Sequence, residues 1–125
     1  MRRINFLYSA QLHAHTQEEV GYMSEIAQEA ALQMHRNVLV EGALRDAEWY
    51  TRVFEQIRSR HPDYRILIVY VHADQATIAS RCLQRSKRTE RHVPLDRMVA
   101  SIEQATASVI ILGSLADGVV QIDNS

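Results

Sequence analysis

The segment Arg65–His72 constrains the fold more than any other part of this chain of 125 residues. It reads R-I-L-I-V-Y-V-H, a nearly continuous run of apolar and β-branched residues. A strand with one face in water alternates apolar and polar residues, whereas a continuous apolar run is typical of a parallel sheet covered by helices on both faces. The segment therefore predicts an α/β fold that contains a strand buried on both sides.

Helical patterns surround this strand. A Thr-x-x-Glu capping box at Thr16–Glu19 precedes apolar residues at three- and four-residue intervals, and Asp46 and Asp74 are good N-cap residues. Proline is favoured in the first turn of a helix, so Pro94 indicates a further helix start. We predict helices from about Gln17 to His35, from Asp46 to near Arg60, after Asp74 through Leu83, and from Pro94 onward.

Two other runs predict strands. Asn37–Glu41 is rich in β-branched residues and is bounded by Gly42, which predicts a short buried strand. Gly118–Asp123 predicts the last strand. The run Ser108–Leu112 resembles a strand locally, but it also continues a helical face, and we favour the helix. The order of elements predicts a parallel sheet flanked by helices.

Composition narrows the class of protein. An apolar content of 46% with 23% charged residues is that of a globular domain, and a formal charge of −1 gives no long-range attraction to nucleic acid or to an anionic membrane. No run approaches the roughly 20 apolar residues of a membrane-spanning helix. We therefore expect a soluble protein. Cys82 is the only cysteine, so no disulfide can form within the chain and we expect a reducing compartment, the cytoplasm. We also expect Cys82 to be a small buried apolar residue.

The turn after Asn37–Glu41 holds a first candidate site. Ligands of open α/β sheets bind at the carboxyl ends of the strands, where Glu41 and Arg45 are expected. Glu41 can accept a proton or hold a Mg²⁺-bound water, and Arg45 can bind a phosphate through two parallel hydrogen bonds. The alternative is structural: Glu41 ends a strand, and Arg45 pairs with Asp46 or Glu48 on the surface.

A second candidate is a basic cluster. Residues 81, 85 and 88 fall on one helical face, so three guanidinium groups can converge on a polyphosphate. Cations near a helix C-terminus also complement the helix dipole, so a solvated helix end explains them equally. The histidines have no zinc-site spacing with a cysteine partner, and we predict no metal bound through them. The cluster consists of Arg81, Arg85, Lys87, Arg88 and Arg91.

Four segments, taken in their order along the chain, resemble a known family. They are T-Q-E-E-V-G-Y from Thr16, N-V-L-V-E-G-A-L-R-D from Asn37, V-H-A-D from Val71 and R-H-V-P from Arg91. In order and spacing they resemble the zeta-toxin-like family of P-loop kinases over about Thr16 to Asn124. The resemblance implies a P-loop kinase-like α/β sheet. It also implies a kinase that uses ATP or GTP with Mg²⁺ to phosphorylate a sugar nucleotide or related small molecule.

The resemblance assigns roles to individual residues. The family motif of an acid, Gly, Thr or Ser, Leu and Arg matches at Glu41, Gly42, Leu44 and Arg45, and departs at Ala43, which lacks the hydroxyl. Glu41 and Arg45 would then bind substrate. The arginines that embrace the transferred phosphate would be Arg91 together with Arg81 or Arg85.

The front of the chain departs further from the family. P-loop kinases carry Gly-x-x-x-x-Gly-Lys-Ser/Thr after their first strand. Residues 1–15 contain no glycine, and the four glycines of the chain lie at positions 21, 42, 113 and 118. Without backbone amides and a lysine to hold the β- and γ-phosphates, the chain alone is predicted to be inactive. A role that uses no cofactor is also compatible with this sequence.

Three hypotheses follow from this departure. The first is that the chain is a C-terminal portion of a zeta-toxin-like kinase, through truncation, an incomplete gene model or a separately expressed half. The second is a natural stand-alone remnant that binds a nucleotide, sugar nucleotide or protein without catalysis. The third is an unrelated α/β domain with a structural or interaction role. On the first two we predict an N-terminal extension, 1–15, and a zeta-toxin-like domain, 16–125. An incomplete sheet would expose apolar surface, so the first hypothesis also predicts a homodimer or a missing N-terminal partner segment.

Overall fold

The computed structural model describes residues 19–89 and 93–125. These residues form four helices and two strands, which confirms the α/β class. The chain divides into two compact units, Met1–Glu41 and Gly42–Ser125. No described helix is long and apolar enough to cross a membrane.

The first unit contains helix α1, residues 19–33. Its predicted capping box begins at Thr16 and lies largely outside the described residues. The helix ends in a Schellman motif, in which the Arg36 amide donates to the Ala31 carbonyl and the His35 amide donates to the Leu32 carbonyl, both at 3.0 Å. His35 accordingly has a positive φ of 54°, in the left-handed region where this motif normally places glycine. Because the motif satisfies the last carbonyls, α1 stops at a defined residue without a glycine.

The predicted strand Asn37–Glu41 is wrong. The segment has no regular secondary structure, and the Leu39 side chain is 90% exposed. A β-branched run suits a strand, but a strand forms only where a neighbouring strand accepts its backbone hydrogen bonds. Among the described residues such pairing joins only the two strands of the second unit. Strand propensity therefore did not suffice at this position.

The second unit begins with a loop that leads into helix α2, Ala47–Arg60. Asp46 caps it as predicted, because its Oδ1 accepts the Trp49 amide at 2.9 Å. Val53 is buried on the inner face of the helix. The helix ends at Arg60 before Pro62, also as predicted.

The sheet consists of β1, Leu67–His72, and β2, Gly118–Asp123, which pair in parallel. The register places Leu67 opposite Gly118 and Val71 opposite Ile122. A parallel pair requires a crossover connection, which is supplied by helix α3, Gln75–Thr89, and helix α4, Leu95–Gly113. The run Ser108–Leu112 belongs to α4, so the helix was the right choice there.

The core of the second unit is built around α4, which contacts α2, α3 and β1. Leu112 is completely buried, and Met98 and Val109 are nearly so. One face of β1 joins this core, since Ile68 is 5% exposed. The other face does not, since Val69 is 50% exposed, and the prediction that β1 is buried on both faces is therefore wrong. A continuous apolar run does not by itself report how many faces are covered.

Candidate phosphate-binding site

Helix α3 begins where β1 ends, at the carboxyl edge of the sheet. Its start is fixed by Asp74, whose Oδ1 accepts the Thr77 amide at 2.8 Å and whose Oδ2 accepts the Thr77 hydroxyl at 2.6 Å. The hydrogen bond from the Thr77 side chain is the main cause that lowers the pKa of the Asp74 carboxyl, with the Thr77 amide second. Asp74 is therefore the N-cap that the sequence predicted, and it fixes where the first turn of α3 lies.

The two sides of α3 differ in chemistry. Ser86 is buried and Ala79 is half-buried, while α3 contacts α4, so small side chains occupy its inner side. The outer side carries Arg81, Arg85 and Arg88, all exposed. At 3.6 residues per turn these three positions project within about 60° of one another. The helix continues to Thr89, beyond the predicted end at Leu83, so Arg85, Lys87 and Arg88 belong to it.

The arginine face lines a depression of about 440 Å³. Its described lining residues all belong to α3 and are Ile78, Arg81, Cys82, Gln84, Arg85 and Arg88. A group of three guanidinium ions at one concavity attracts an anion locally, although the whole chain carries a formal charge of −1.

The three arginines have different partners. Arg81 Nη1 donates to the carbonyl oxygen of Asn124 at 2.8 Å. Neither Arg85 nor Arg88 forms an ion pair or a side-chain hydrogen bond within residues 19–89 and 93–125. A guanidinium without a protein partner keeps its fork of N–H donors available for a ligand. Arg85 and Arg88 are thus the cations best placed to receive an anion.

Of the other predicted site residues, Arg45 belongs to the same unit as this depression but is not among its lining residues. Glu41 lies in the first unit, exposed and outside regular structure, while Arg45 is exposed in the loop before α2. Arg45 forms no ion pair in the described part of the chain, and Glu48, its suggested partner, lies 3.6 Å from Arg52 instead. Arg91 lies outside the described residues.

The loop that contains Arg45 is packed closely at Gly42. A Cβ atom at Gly42 would lie 2.7 Å from the hydroxyl of Tyr50. Tyr50 is half-buried and stacks edge-on against Trp49, with ring centroids 4.5 Å apart. Burial raises the pKa of the Tyr50 phenol, and the nearby Asp46 carboxylate raises it further. Tyr50 thus packs against the loop at Gly42.

A nucleotide with Mg²⁺ fits these residues only in part. The arginine face supplies donors for phosphate oxygens. Among the described residues no group of three or more His, Cys, Asp or Glu side chains is arranged to hold a metal ion. The site therefore suits the phosphate chain, whereas a protein-built metal site is not found in this part of the molecule.

Sequence reasoning found the arginines but overlooked part of their surroundings. Cys82 was expected to be buried, yet it is half-buried and lines the depression beside Arg85. The neighbouring Leu83 is also 54% exposed. The spacing of Ile78, Arg81, Cys82, Arg85 and Arg88 at three and four residues could have identified this surface.

Comparison with known proteins yields one match. A family model described as Zeta toxin matches residues 2–123, which is nearly the whole chain. No curated protein and no solved structure matches. The family is kinase-like and nucleotide-dependent, in keeping with a site that offers cations to phosphate.

Proposed function

Because the chain belongs to the zeta toxin family, we propose that it supplies the phosphate-binding part of a small-molecule kinase, with ATP or GTP as donor and a sugar nucleotide as the class of acceptor. The observation that carries this proposal is the depression that Arg81, Arg85 and Arg88 line together. Glu41 and Arg45 would bind the acceptor, and Arg91 would add a further cation.

The arginine face suits phosphoryl transfer. Negative charge spreads over the oxygens of the transferred group in the transition state, and fixed cations stabilise it. The guanidinium group binds phosphate through paired, directional hydrogen bonds, which also orient it. A bound nucleotide would supply the phosphoryl group, and the residues of α3 would hold its oxygens.

We also propose that these 125 residues alone do not catalyse phosphate transfer, because they contain no Gly-x-x-x-x-Gly-Lys segment. The β- and γ-phosphates would have arginines on one side and no glycine-rich cradle on the other. A second candidate function that uses the same arginine face is a non-catalytic domain that binds a nucleotide or sugar nucleotide. Both functions use the same arginines, and they differ in whether phosphate is transferred.

Calorimetric titration with pyrophosphate and with ATP tests the shared step. Arg85→Gln and Arg88→Gln should each weaken binding about tenfold, the loss expected for a charge-assisted hydrogen bond at an exposed site. Lys87→Gln is the matched control, because it removes a charge from the same helix outside the depression. If wild-type protein binds neither ligand, or if all three variants lose equally, the proposed site is wrong.

Phosphate transfer distinguishes the two functions. We expect no detectable product from ATP and UDP-N-acetylglucosamine with the wild-type chain alone. Turnover that disappears in Arg85→Gln would contradict the predicted inactivity and establish an active kinase. Turnover unaffected by that change would point to another site.

A further inference from the structure

We propose that Arg81 is a positioning residue, which holds the arginine face of α3 at the end of the sheet, and that Arg85 and Arg88 are the residues that contact phosphate. This inference rests on the proposed function, since it divides the work of the same three arginines. It resolves the choice between Arg81 and Arg85 that the sequence left open.

The first observation is the hydrogen bond that Arg81 makes. Its Nη1 donates to the Asn124 carbonyl at 2.8 Å, across 43 positions of sequence. A surface arginine that bonds to a distant carbonyl connects two elements, here α3 and the residues that follow β2. To turn toward an anion in the depression, Arg81 would have to give up this bond.

The second observation is that the carbonyl partner is itself held in place. The Asn124 amide donates to the His72 carbonyl at 2.7 Å, and the Ser125 amide donates to Asp123 Oδ1 at 2.9 Å. The Ser125 hydroxyl then accepts the Asp74 amide at 3.0 Å, immediately before α3. The residues after β2 therefore form a bridge between the end of β1 and the start of α3. Arg81, in the second turn of α3, adds a further hydrogen bond between the helix and this bridge.

The carboxylate in this bridge is ionised more readily than usual. Hydrogen bonds from the Ser125 side chain, and then from its amide, lower the pKa of Asp123, with a further contribution from His72. The charged form of Asp123 is the one that accepts these bonds.

The third observation is the contrast along the helix. Arg85 and Arg88 lie one and two turns further on, line the same depression and have no such partner among the described residues. Once Arg81 fixes the rotation of α3 about its axis, both of these guanidinium groups face the depression. The helix presents them to a ligand, and their own side chains need no other support.

Conservative substitution tests this division at constant charge. Lysine keeps the positive charge and a donor but cannot bind phosphate through a planar fork. We expect Arg81→Lys to bind pyrophosphate within about twofold of wild type, and Arg85→Lys and Arg88→Lys to bind it about fivefold more weakly or worse. If Arg81→Lys loses as much affinity as Arg85→Lys, Arg81 is a phosphate ligand and the inference is wrong.

Amide hydrogen exchange tests the positioning without any ligand. Arg81→Met should accelerate exchange at the Asn124 and Asp74 amides about tenfold, while Arg85→Met should leave both rates unchanged. Equal rates in the two variants would overturn the positioning role even where pyrophosphate binds. If Arg81→Met accelerates exchange but the wild-type protein binds no pyrophosphate, the proposed function is wrong and the positioning role of Arg81 is retained.

Discussion

Arg58 Nη2 lies 3.1 Å from Asp117 Oδ2, and this ion pair joins the end of α2 to the turn before β2. The same oxygen accepts the Ile66 amide at 2.6 Å, and the Asp117 amide returns a bond to the Ile66 carbonyl at 2.8 Å. Arg58 also donates to the Leu115 carbonyl at 2.9 Å. One carboxylate thus fixes the point at which both strands of the sheet begin.

Asp117 should make the stability of the protein sensitive to acid. The hydrogen bond from the Ile66 amide is the main cause that lowers its pKa, and Arg58 lowers it further. A lowered pKa in the folded state means that the stabilisation is complete above the unfolded value of about 3.9 and is lost as the pH falls through the folded value. Asp117→Asn should lower the melting temperature by a few degrees at pH 7, and the difference should narrow as the pH falls below the unfolded pKa of about 3.9.

Melting curves followed by circular dichroism between pH 2 and pH 7 would measure this. Asp63→Asn, in the turn between α2 and β1, is a matched control for the loss of one exposed carboxylate. A difference between wild type and Asp117→Asn that stays constant over the whole range would show that Asp117 acts through something other than its charge.

The predictions that succeeded for the fold rest on local chemistry. Asp46 and Asp74 cap their helices because a short carboxylate side chain reaches the amide three residues later, whatever the rest of the chain does. The prediction of Asn37–Glu41 failed because a strand depends on a partner elsewhere in the chain. The coverage of β1 failed for the same reason, since the exposure of Val69 depends on what packs above the sheet.

Replacing His35, the left-handed residue that follows α1, with glycine should stabilise the end of the helix. A non-glycine residue in this region costs about 1–2 kcal/mol, while glycine costs roughly 0.5–1 kcal/mol through the entropy of the unfolded chain. His35→Gly should therefore raise the free energy of unfolding by about 0.5–1 kcal/mol, as measured from the loss of helical circular dichroism in urea. Gln33→Gly, two residues earlier inside α1, should lower it by a similar amount. Destabilisation by both changes would show that the His35 side chain contributes contacts that outweigh its backbone strain.

The close approach of Gly42 to Tyr50 predicts a coupled pair. Gly42→Ala would force the phenol hydroxyl to move, because the new Cβ would lie 2.7 Å from it. In a Tyr50→Phe background that obstacle is gone, so Gly42→Ala should cost about 0.5–1 kcal/mol less there than in wild type. A double-mutant cycle of unfolding free energies measures the coupling. Additive effects would indicate that the Tyr50 ring does not occupy this position beneath the loop.

The candidate site was predictable to the extent that it lies on one helix. The positions 81, 85 and 88 share a face by helical geometry alone, and the structure brings these arginines to one depression. The sequence carried no sign of the bond from Arg81 to Asn124, because a contact across 43 positions depends on the folded path of the chain.

The half-exposed thiol of Cys82 provides the most direct test of the central claim, that the arginine face of α3 binds phosphate. Cys82 is the only cysteine of the chain and lines the depression with Arg85 and Arg88. The measurement is the rate of Cys82 alkylation by iodoacetamide, with and without saturating pyrophosphate, against sodium chloride of equal ionic strength. We predict that pyrophosphate slows alkylation at least about fivefold in wild type, by occluding the thiol, and not in Arg85→Gln/Arg88→Gln. An alkylation rate unchanged by pyrophosphate in the wild-type protein would contradict it.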